Sequence, residues 1–140
     1  MTKYLLVVAA TAASIALMWV GENVFAAARV ESGSTFVIPL GRISLGTAMF
    51  LLSGAVFSVI FLLRAKRDRR FGYLVPAAVA LAVMTALPLL WYAGAFRSLP
   101  TGLHWIASPY IQGAVPFALG GIIVNLIWRA TGPEAVEEPS

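Results

Sequence analysis

The sequence predicts an all-α fold, a polytopic membrane bundle of four spanning helices, and three observations carry that prediction. Hydrophobic residues make up 60% of the 140-residue chain and charged residues 11%, against roughly 45–50% and about 25% in an average soluble domain. The apolar residues gather into four stretches, 4–20, 43–63, 74–96 and 109–128. Each meets or nearly meets the roughly 20 residues that a helix rising about 1.5 Å per residue needs to cross about 30 Å of hydrocarbon. Lipid offers no partner to a free N–H or C=O group, so each stretch must satisfy its backbone internally.

Taken in order, Lys3 precedes the first span and marks the N-terminus as cytoplasmic, with Trp19 as an aromatic anchor near the far interface. The spacing allows this helix to extend past Gly21 to about Ala28, since Val24, Phe25 and the alanines at 26–28 support helix. Lys3, the apolar run and those alanines before Arg29 also imitate a signal peptide, which would make 4–20 partly a cleaved segment. The run exceeds the usual length of about 7–15 residues, which favours a retained span. Residues 33–46, broken by Pro39, Gly41 and Gly46, read as an interfacial segment before the second span.

The second span returns to a loop holding five of the ten basic residues, Arg64, Lys66, Arg67, Arg69 and Arg70. A loop so dense in cations belongs on the cytoplasmic side, and it suits anionic lipid headgroups. The third span leads outward to a short loop with Arg97 and His104, and the fourth comes back to Trp128 and Arg129. Residues 1–129 therefore form one four-span bundle, and 130–140, with Glu134, Glu137 and Glu138, a disordered acidic cytoplasmic tail. Both termini come out cytoplasmic, as expected of a protein of the bacterial inner membrane.

Composition narrows the chemistry. The net charge of +4 and the sequence pI near 10.0 follow from the one basic loop, and no aromatic stacking platform accompanies it, so nucleic-acid binding is not expected. Cysteine is absent and His104 is the sole histidine, which argues against a metal site or haem cofactor. The one aspartate, Asp68, falls on the opposite side from His104, so no Ser/His/Asp set forms, and no phosphate-binding glycine motif occurs. No catalytic residue is identified and no enzyme activity is expected.

Two groups of residues remain. Small residues at helical spacing, Ala9 and Ala13 in the first span and Gly113 and Gly120 in the fourth, let helix backbones approach closely, with Ser53, Gly54 and Ser58 contributing from the second. Glu22 closes a weakly polar stripe with Thr11, Ser14 and Met18, and reads as an interfacial carboxylate at the outer end of its span, paired with Arg29, Arg42 or Arg97. Gln112, Asn125 and Thr85 are polar groups within spans, suited to interhelical hydrogen bonds.

The function these features support is that of a non-enzymatic integral membrane protein acting by helix packing. Its partners would be the bilayer and either a second copy of itself or another membrane subunit. The alternative is a small oligomeric proton-coupled transporter with Glu22, Asn23 and Gln112 along a polar path. The orientation is directly testable: cysteines placed at Lys66 and Gly102 should label only from the cytoplasmic and only from the outer side, respectively. Labelling of position 66 from outside would refute it.

Overall fold

The computed structural model describes residues 2–35, 37–62, 74–94 and 108–131. Its elements are α1 (Thr2–Thr35), α2 (Leu40–Leu62), α3 (Leu74–Tyr92) and α4 (Pro109–Thr131). All four are long and apolar enough to cross a membrane, and no strand occurs among the described residues. The basic cluster 64–70, the outer-loop residues Arg97 and His104, and most of the acidic tail lie outside the described residues.

The first helix departs most from expectation. It does not stop near Val20 or Ala28 but continues to Thr35, for 34 residues, or about 51 Å. Gly21, Glu22 and Asn23 resemble a turn in sequence. None of them breaks the helix, because Gly21 is buried against α2 and Asn23 donates to the Trp19 carbonyl at 2.7 Å. Most of the segment 33–46 is helical: residues 33–35 end α1 and residues 40–46 begin α2. Ser34 and Thr35 hydroxyls bond back to the Glu31 carbonyl at 3.0 and 2.8 Å and close α1. Pro39 immediately precedes α2, its carbonyl accepting from Arg42 and Ile43 amides at 3.0 and 3.2 Å. Proline suits that position, where its missing N–H costs nothing.

The remaining ends follow local chemistry. At the end of α3, Gly94 takes a left-handed conformation with φ of 79° and donates to the Trp91 carbonyl at 2.9 Å, a cap that glycine adopts without strain. Ser108 precedes α4, its carbonyl accepting from the Gln112 amide at 3.0 Å, with Pro109 at the first helical position. Pro88 and Pro116 lie inside α3 and α4. They face one another, with Thr47 of α2, around a small gap of about 10 Å³.

α2 is the centre of the bundle. It packs most extensively on α1 along one side and on α4 along another, while α3 rests mainly on α4. The spatial order is therefore α1–α2–α4–α3, and α1 makes no extensive contact with α3 or α4. Between α2 and α4 the approach is backbone to backbone. A Cβ on Gly54 would strike the Phe117 carbonyl oxygen, and one on Gly120 would strike that of Leu51. Phe50 then fills the space on either side. A Cβ on Gly113 of α4 would come within 3.1 Å of its ring, and one on Gly21 of α1 within 3.0 Å. Phe25 covers Gly46 and stacks on Phe50 with ring centroids 5.8 Å apart.

One buried polar pair ties α1 to α2. Ser53 Oγ donates to the Ser14 carbonyl at 2.8 Å, which uses its only proton. Ser14 Oγ therefore supplies the proton toward Ser53 Oγ at 2.9 Å, which it shares with the Ser53 carbonyl at 3.2 Å. Ser53 is wholly buried. Such interhelical bonds in a bilayer contribute about 0.6 kcal/mol on average. Thr85, expected to link helices, instead bonds to Leu81 of its own helix at 2.8 Å, and Thr47 bonds likewise to Ile43 at 2.9 Å.

The glycine contacts generate a graded prediction. Gly120→Ala should cost more than the roughly 1–3 kcal/mol of ordinary overpacking, because the obstacle is a main-chain carbonyl that no rotamer change can clear. Gly120→Leu should abolish the folded bundle, whereas Gly33→Ala, with nothing near its Cβ position, should leave the midpoint unchanged or slightly raised. Thermal unfolding in detergent measures all three, and an unfolding midpoint of Gly120→Ala equal to that of the natural chain would refute the close approach.

Candidate functional site

The charged residues of the described helices lie mainly toward the α1–α2 turn. Glu22 and Arg29 form an ion pair with Nη2 to Oε1 at 2.7 Å, both side chains about half exposed. Seven residues of helix rise about 10.5 Å, and helical side chains lean toward the N-terminus, so the long arginine stem runs back along α1 to reach its partner. Arg42 lies 3.1 Å from Glu31 across the turn, close enough for attraction but without an aligned hydrogen bond to that oxygen.

Glu22 lies well before the C-terminal end of α1. It precedes the end of α1 by thirteen residues, or about 20 Å. Its neighbour Gly21 meets Phe50, close to the middle of α2. The carboxylate is therefore alongside the apolar length of α2. In water an exposed pair is worth about 0–1 kcal/mol, whereas a lone carboxylate at the middle of a bilayer costs about 2.5–3.5 kcal/mol or more. The pairing with Arg29 offsets such a cost wherever the carboxylate meets lipid.

Glu22 and Arg29 line a lateral cleft of about 660 Å³. Its walls are α1, through Met18, and α4, through Gly113, Ala114 and Phe117, and its floor is Phe50 of α2. It exists because α1 and α4 are both held by α2 and do not close on one another. Arg29 also lines a second cavity of about 400 Å³ nearer the turn, together with Ser32, Gly33, Pro39, Tyr92 and Gln112. There Gln112 Nε2 donates to the Tyr92 hydroxyl at 3.0 Å, the interhelical bond expected of it.

The three residues suggested for a polar path are thus divided. Glu22 and Gln112 border adjoining cavities that share Arg29. Asn23 stands elsewhere, in a shallower groove with Trp19, Arg42 and Leu45. Asn125 accepts from Arg129 Nε of its own helix at 3.0 Å. No group of three metal-ligating side chains occurs among the described residues. Ser32 and Tyr92 were not singled out by sequence, since nothing in their local pattern shows that the turn and the end of α3 meet above Gln112.

The small residues are divided as well. Gly113 and Gly120 serve the interior, as described above. Ala9 and Ala13, with Ala12 and Ala16, are exposed on the side of α1 turned away from Ser14, Gly21, Phe25 and Ala28. Comparison of the chain with protein-family models, with characterised proteins and with solved structures finds no match to any of them.

Proposed function

We propose that this integral membrane protein is non-enzymatic and acts by helix packing, as a small homo-oligomer or as an assembly subunit of a larger membrane complex, with both termini cytoplasmic. One observation carries the reading: the alanine face of α1 lies outside the bundle. Ala9, Ala12, Ala13 and Ala16 recur at intervals of three and four residues, so they form a smooth ridge on one side of the helix. Within lipid no hydrophobic force brings helices together, and association rests on close van der Waals packing, which small side chains permit. α2 uses its small residues inside the bundle, whereas the ridge of α1 has no partner within the described residues.

The test is the mass of the particle in a mild detergent. The natural chain should migrate as a homo-oligomer or with a second subunit, and the double variant Ala9→Leu/Ala13→Leu should release it as a single chain with an unchanged unfolding midpoint. A natural chain that is already single would refute the reading.

A second reading rests on a different observation, the placement of Glu22 in the lateral cleft. A proton-coupled transporter needs a shielded carboxylate able to change protonation state. Glu22→Gln keeps size and hydrogen bonding but removes the titration. The packing reading expects normal assembly and no change in phenotype for that variant. Loss of a pH-dependent substrate flux, with normal expression, would establish the transporter in its place.

A further inference from the structure

The lateral cleft and the cavity nearer the α1–α2 turn both combine apolar walls with a few polar side chains, and they share Arg29. The cavity near the α1–α2 turn is lined by Ser32, Tyr92 and Arg29 together with apolar residues such as Phe25 and Ile43. The Tyr92 oxygen accepts from Gln112, so its own proton remains available, and Arg29 commits one nitrogen to Glu22. Deeper along the bundle, the cleft is walled by Met18, Phe50, Ala114 and Phe117. The hydroxyl-bearing residues Ser32 and Tyr92 line only the space nearer the turn, and Arg29 lines both.

We propose that this two-part cavity binds one phospholipid, its phosphate at Arg29 in the cavity nearer the turn and an acyl chain in the cleft between α1 and α4. The cleft lies between two spanning helices that do not close on one another, so in a bilayer the matter available to fill it is lipid. A phosphate matches the donor set, since a guanidinium with unspent N–H groups and two hydroxyls are all able to donate to its oxygens. The headgroup is zwitterionic. Glu22 cancels the charge of Arg29, so the site gives no net attraction to an anionic lipid, while the paired charges complement a phosphate and an ammonium carried together. Glu22 is a positioning residue here, holding the guanidinium between the two spaces. The site is separate from the outward alanine face of α1 and does not rest on the packing reading.

Native mass spectrometry of the purified chain, delipidated and then titrated with phosphatidylethanolamine or phosphatidylglycerol, tests this. A single favoured phosphatidylethanolamine adduct is expected. Ala114 is exposed within the cleft and takes no part in the core, so Ala114→Phe should fill the chain site and remove the adduct while the unfolding midpoint stays unchanged. The neutral double variant Glu22→Gln/Arg29→Gln should bind at least about tenfold more weakly, the loss expected for one charge-assisted hydrogen bond, and should no longer prefer phosphatidylethanolamine. The double variant carries the test by itself if Ala114→Phe does not fold. A featureless ladder of adducts shared by all variants would show surrounding bilayer lipid only and overturn the proposal. So would a lipid-free dimer, with a second copy occupying the cleft, or full retention of the adduct by either variant.

Discussion

The rest of this structure depends on the approach of α2 to α4 at Gly54 and Gly120, where each glycine lies against a main-chain carbonyl of the other helix. Burial of apolar surface does not drive this contact, because lipid tails are as apolar as the side chains it would bury. What remains is the dense packing of atoms that only absent side chains permit, and dispersion gains fall quickly with small increases in separation. Once the two backbones meet, the Phe50 ring has a defined volume beside Gly113, and its other edge a seat on Gly21. The phenylalanines and glycines thus form one interlock through three helices.

That interlock also explains where the charges stand. Holding Gly21 against Phe50 sets the register of α1, and the Ser14–Ser53 bonds fix it a second time two turns below. Glu22 is then carried alongside the apolar length of α2 with no freedom to slide outward. It pairs there with Arg29, which supplies the opposite charge from two turns along the same helix. The same register leaves α1 and α4 on separate sides of α2, and the cleft between them is the geometric result.

Much of the fold was legible in the sequence, and the reason is physical. Span length is dictated by bilayer thickness, so the apolar stretches around 43–63, 74–96 and 109–128 correspond to α2, α3 and α4. The glycines at 113 and 120 share a helix face by their spacing alone. The course of α1 was less legible because Gly21, Glu22 and Asn23 have the composition of a turn, and only burial against Phe50 shows that they remain helical. Which face of a span turns inward was not legible at all. In a soluble helix the polar side announces the surface, but in lipid both sides are apolar, and the pattern loses its contrast. The alanines of α1 and the glycines of α4 therefore look alike in sequence, although one set lies outside the bundle and the other within it. The pairing of Ser14 with Ser53 was likewise hidden, since each is an unremarkable serine until the two helices are set side by side.

The spatial order α1–α2–α4–α3 limits what any partner can meet. α2 is covered on two sides, so an approaching membrane helix finds mainly α1, α3 and the gap that α1 leaves beside α4. Of these surfaces, α3 offers an apolar flank on which the bulky Val75, Val79, Val83 and Leu90 are interleaved with exposed Ala80, Ala82 and Ala86. α1 differs in offering both a smooth alanine face and, about a quarter turn to a half turn around the same helix, the wall that bears Glu22 and Arg29. A partner drawn to the first face need not cover the second. Association on one side and occupancy of the cleft on the other are therefore compatible in a single molecule, and α1 is the element through which each would be sensed.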